Sequence, residues 1–167
     1  MKNIILSIFV IFLTFTSATA QIDSTITNQP FKHAVGVTVG FTIGSGLSYR
    51  YSVDKFGIQV SFLPLKEETR SRYTVGLSFF YKLVQSEKVD FFMYQGNQYL
   101  YKSDADIYSG ENTKTDLIES YLNNGIGVGI RFIILKRVGL DIMGGYAGYK
   151  NFSKISFSGE MGLHFLF

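Results

Sequence analysis

Two histidines, His33 and His164, are the only imidazoles in the 167 residues, and there is no cysteine. A hydrolytic centre would need a hydroxyl in front of the imidazole and a carboxylate behind it. Neither histidine has a placed carboxylate and an exposed hydroxyl partner, so no Ser–His–Asp arrangement can be argued from the sequence. Two imidazoles without a thiolate are too few for a transition-metal site, and no cofactor is implied. Asp104, Asp106 and Glu111 could hold a divalent cation loosely, but they read better as a solvated acidic loop. What remains is a set of isolated charges among small residues: Arg50, Lys82, Asp90, Arg131, Asp141 and Glu160, with His164.

Strands must position these charges, because the chain alternates with a period of two. Val35, Val37, Val39, Phe41 and Ile43 share one face, against Gly36, Thr38, Gly40, Thr42 and Gly44. Leu47 to Val53 and Phe56 to Phe62 repeat the pattern around a turn at Asp54-Lys55, and Pro64 marks the end of that strand region. Tyr73 to Leu83 forms a fourth strand, and Val138 to Tyr149 a seventh. In the sixth, Ile126, Val128, Ile130, Phe132 and Ile134 oppose Gly125, Gly127, Gly129 and Arg131. In the eighth, Ile155, Phe157, Gly159, Met161, Leu163, Phe165 and Phe167 alternate with mostly small or polar residues. The fifth, 89–101, has an ambiguous facing. Phe91 and Met93 point one way, Phe92 and Tyr94 crowd the other, and Gly96 is placed at a bulge.

Eight antiparallel strands can close into an up-and-down barrel. A soluble barrel would turn the apolar face inward, yet eight strands leave an interior only just wide enough for side chains. Bulky Val, Ile, Phe and Tyr fit outside against lipid, and Gly, Ser and Thr fit inside. A water-facing surface would also carry many Lys and Glu. The charges therefore point into the lumen. Around the turn at Lys136, Arg131 faces Asp141; around Asp54-Lys55, Arg50 faces Gln59; around 85–88, Lys82 comes level with Asp90 or Phe91. Glu160 is placed near Asp141 through the final hairpin. The expectation is an internal structural network of Arg131, Asp141 and Glu160, with Lys82–Asp90 nearby, that fills the barrel. Tyr49, Tyr51, Tyr73, Tyr81, Tyr121 and Tyr146 are candidates for girdles at the two membrane interfaces.

The amino terminus carries Lys2, an apolar run from Ile4 to Phe15 and the small-x-small motif Ala18-Thr19-Ala20. These features predict a cleaved secretory signal peptide at 1–20, a flexible periplasmic leader at 21–32 and a barrel domain at 33–167. Removing 20 of 167 residues leaves 147, in which 15 basic residues stand against 13 acidic ones. Such a weak and scattered charge argues against nucleic-acid binding. Charged residues make up 17% of the chain, below the roughly 25% of soluble domains.

The small-x-small motif, the repeated alternating strands and the ending Gly162-Leu163-His164-Phe165-Leu166-Phe167 resemble the small bacterial outer-membrane β-barrel family, of OmpX and OmpA transmembrane-domain type. The resemblance implies an outer-membrane location with both termini in the periplasm. It implies that outer-membrane lipid surrounds the barrel, and that the insertion machinery reads the last strand through Phe165 and Phe167. No catalytic motif is carried over. The expected function is a structural or surface-interaction barrel without turnover, with segments 64–72 and 102–120 as the sites for an extracellular ligand. A narrow passive channel for small solutes is the alternative, and a lipid-modifying enzyme the second.

Overall fold

The computed structural model describes residues 31–66, 70–105 and 116–167. The signal peptide and nearly all of the leader lie outside the described residues. Every regular element described is a strand: β1 (His33–Val39), β2 (Gly46–Val53), β3 (Phe56–Lys66), β4 (Arg70–Gln85), β5 (Val89–Ala105), β6 (Asp116–Ile134), β7 (Val138–Tyr149) and β8 (Lys154–Leu166). They pair antiparallel in chain order and close into a barrel. Closure gives each strand a hydrogen-bonded neighbour on both sides and leaves no edge strand in the wall, which is what strands need to cross lipid.

The seam joins β1 to β8 from Ala34↔Leu166 to Val39↔Met161. It extends through mutual backbone hydrogen bonds between His33 and Phe167 of 3.1 and 2.9 Å. One end of the barrel, here the terminal end, holds this seam and the turns at 54–55, 86–88 and 135–137. The other, the far end, holds the remaining connections.

The facing is inside-out relative to a soluble protein. Val60, Leu77, Val128 and Leu163 are exposed on the outer wall. Ser48, Arg50, Gln59, Ser61, Ser78, Asp141 and His164 are buried inside it. β5 now has a definite facing: Phe92 and Tyr94 are buried in the lumen, while Met93 is exposed. The β4–β5 ladder shifts register between Lys82 and Val84, so the bulge lies there and not at Gly96.

Three strand boundaries differ from the sequence reading. Pro64 pairs with Tyr73 inside the β3–β4 ladder, so that strand runs on to Lys66. The strands run into the segments 64–72 and 102–120, because β3 reaches Lys66, β4 begins at Arg70, β5 reaches Ala105 and β6 begins at Asp116. β4, β5 and β6, at 16, 17 and 19 residues, far exceed the 7 of β1. The third difference matters most. β1 stops at Val39, and residues 40–45 leave the wall and fold into the lumen. Thr42 and Ile43 are completely buried, although Phe41 stays exposed. Gly44 makes the bend with φ at +82°, a region that L side chains avoid.

Candidate functional site

The lumen is filled in two polar layers around an apolar cluster of Ile43, Phe80, Phe92, Tyr94 and Met143. Toward the terminal end, seven strands, β2 to β8, contribute to the first layer. Asp141 on β7 is its hub. Arg131 on β6 is its ladder partner and donates from Nε to Oδ1 at 2.6 Å and from Nη2 to Oδ2 at 2.9 Å. Arg50 on β2 reaches the same Oδ2 from Nη2 at 2.9 Å. Its Nε and Nη2 also donate to Gln59 Oε1 on β3, at 2.9 and 2.6 Å. The Arg50 guanidinium sits 3.9 Å above the centroid of the Phe80 ring, a cation–π stack. Lys82 on β4 approaches Asp90 on β5 at 4.0 Å. These charges are at most 9% exposed. Sharing one carboxylate between two guanidinium groups offsets part of the desolvation cost of all three.

His164 on β8 completes this layer. Its Nε2 lies 3.0 Å from Ser48 Oγ, and its Nδ1 lies 3.3 Å from Asp141 Oδ2 without reaching hydrogen-bond geometry. His164 therefore has a carboxylate beside it, which the sequence reading did not place, and a hydroxyl that is buried, not exposed. Gly36 brings the serine and the histidine together, because it pairs with Ser48 on one side and His164 on the other. The order Ser48–His164–Asp141 resembles a catalytic relay, but Asp141 is already committed to two arginines. Ser48 is 5% exposed and His164 1%, so a substrate carbonyl has no approach. The set is a polar brace across β2, β7 and β8.

The second layer lies beneath the far end and holds the inserted loop. Glu160 on β8 accepts hydrogen bonds from Thr42 Oγ1, from the Ile43 amide at 3.0 Å, from Ser158 Oγ at 2.8 Å and from Tyr94 Oη at 3.4 Å. Ser61 Oγ donates to the Ile43 carbonyl at 2.7 Å, and Asn123 Nδ2 to the Phe41 carbonyl at 3.1 Å. The walls are shaped for this loop: a Cβ at Gly96 would stand 2.9 Å from the Thr42 carbonyl carbon. Residues 40–45 are thus a plug. Glu160 belongs to it, not to the arginine network. In the β7–β8 ladder Met143 faces Glu160 and Gly162 faces Asp141, which sets Glu160 one inward position away from Asp141. Its carboxylate turns toward the plug.

Sequence reasoning placed Gln59 opposite Arg50 but missed the roles of Ser48 and Phe80, and the plug. Ser48 and Phe80 were legible as inward positions of their strands. The plug carried no signal, since its alternation continues that of β1.

No family model matches the chain, and no curated protein matches it. Among solved structures, the N-terminal β-barrel domain of Pseudomonas aeruginosa OprF superposes with a TM-score of 0.57 at 12% identity, covering 81% of this chain and 95% of that one. Neisserial surface protein A (NspA) superposes with a TM-score of 0.51 at 17% identity, covering 81% and 93%.

This is the fold of the small outer-membrane β-barrels.

Aromatic residues gather toward each end of the barrel. At the terminal end His33 stacks on Phe167 with centroids 5.8 Å apart, and its Nδ1 lies 2.7 Å from Tyr49 Oη. Tyr81 packs on Phe56 at 5.1 Å in the same belt. Toward the far end Tyr73 meets Tyr101 at 6.0 Å, and Tyr146 meets Phe157 at 6.3 Å. Two belts flanking an aliphatic band match the girdles of such barrels.

Proposed function

We propose that this protein is an integral outer-membrane barrel of structural or surface-interaction type, with a closed lumen and no turnover. Both termini lie in the periplasm, and the long strands β4 to β6 carry segments 64–72 and 102–120 outward to meet an extracellular ligand. The observation that carries this reading is the double block of the lumen. The plug at 40–45 fills it beneath the far end, and the Arg50–Asp141–Arg131 layer fills it toward the terminal end. A solute would have to displace both. The buried Ser48 offers no surface for turnover, which argues against the lipid-modifying alternative. Insertion through the β8 strand fits the seam, where Phe165 faces lipid and Phe167 ties to His33.

Planar-bilayer recording of the refolded mature barrel tests the reading. Absence of steady single-channel conductance supports it. Steady conductance abolished by Asp141→Ala would replace it with a narrow passive channel.

A further inference from the structure

We infer that the terminal-end layer of the lumen binds one small monovalent anion, of chloride size, between Arg50, Lys82 and Arg131. These three side chains line a common cavity of about 10 Å³, together with Asp90 and the rings of Phe80 and Phe92. That volume accommodates a single water or monatomic ion and excludes polyatomic anions. Lys82, the one flexible cation, can yield the small extra radius that a halide needs.

Charge balance selects the occupant. Among the described residues the layer sets three cations, Arg50, Lys82 and Arg131, against two carboxylates, Asp90 and Asp141, an excess of one positive charge. Both Asp141 oxygens are taken by the two arginines. Lys82 stands 4.0 Å from Asp90 Oδ2, beyond hydrogen-bond reach. Glu160 faces the plug and gives no compensation. Asp54, in the β2–β3 turn, is exposed and solvated. An unbalanced buried charge is costly. Water can solvate it but not neutralise it, whereas one monovalent anion does. A divalent anion would merely invert the excess. Entry is from the terminal end, since the Lys82 amide bonds the Lys55 carbonyl in the rim turn at 2.8 Å.

The site does not depend on what the outer loops bind. A conducting barrel would defeat the function proposed above and leave this inference standing. The test is anomalous diffraction from crystals of the mature barrel grown in bromide. It is paired with the thermal midpoint of the folded form in detergent as chloride replaces gluconate at constant ionic strength. The expected results are one bromide peak touching Lys82 Nζ and an arginine, and a midpoint that rises and saturates with chloride. In Lys82→Met the apparent affinity should fall by about tenfold or more. Water in the cavity without anomalous signal overturns the inference, as does an equal midpoint in gluconate. Should Lys82→Met fail to fold, the bromide map on the unaltered protein decides alone.

Discussion

Arg131 and Asp141 face each other across the β6–β7 ladder and are joined by two parallel hydrogen bonds of 2.6 and 2.9 Å. Asp141 is also the acceptor for Arg50, from a strand three places further round the barrel across the seam. One carboxylate therefore ties β2, β6 and β7 through the lumen. Asp141→Ala leaves two buried guanidinium groups without their anion. Denaturant unfolding of the folded barrel should show a loss of about 3–5 kcal/mol. A loss below about 1 kcal/mol would mean that the arginines are solvated in the lumen.

The plug rests on Glu160, so releasing it should expose the wall behind it. Ser78 is completely buried and pairs with Gly96, which touches Thr42. The chain has no native cysteine, which makes a single Ser78→Cys a clean reporter. A polar maleimide should label this cysteine slowly in the otherwise unaltered barrel and at least about tenfold faster when Glu160→Ala is added. Equal rates would show that the plug is held by other contacts.

Filling the seat should act like removing the latch. Gly96→Val places atoms where Thr42 stands, and overpacking of this kind costs about 1–3 kcal/mol. The thermal midpoint should fall, and Ser78→Cys labelling should rise in the same background.

The outer wall gives the sharpest test of orientation. Val128 is 46% exposed in the middle of β6. In a bilayer Val128→Lys should cost about 2–4 kcal/mol, read as lost folded yield in lipid vesicles. In a water-soluble barrel the same change would be neutral.

Removing Phe167 deletes both backbone hydrogen bonds to His33 and its ring stack. Folded protein in the outer-membrane fraction, read as unboiled mobility on electrophoresis, should decrease severalfold. Unchanged assembly would relieve the last strand of its proposed role as the insertion signal.

Much of this fold is local in origin. Side chains in a strand alternate strictly, so Val128, Ile130 and Phe132 face one way and Arg131 the other, whatever surrounds them. Hairpin partners are fixed by the turn, which is why Arg131 opposite Asp141 and Arg50 opposite Gln59 were legible from position numbers alone. The outward placement of the bulky face followed from the narrow interior of eight strands.

Other features depended on groups far apart in the chain. Residues 40–45 keep the alternation of β1, and only the assembled barrel offers them the Glu160 carboxylate, Ser61 and Asn123 as partners. Those contacts span 18 to 118 residues of sequence. Ser48 meets His164 because barrel closure lays β8 beside β1, a seam that no turn records. Glu160 lies near Asp141 along the final hairpin, yet its carboxylate serves the plug. Local alternation thus determined which face each residue takes, because the period of a strand is a property of its own backbone. Which inward groups meet was decided by closure of the barrel, where register across the seam and competition for buried hydrogen bonds choose the partners.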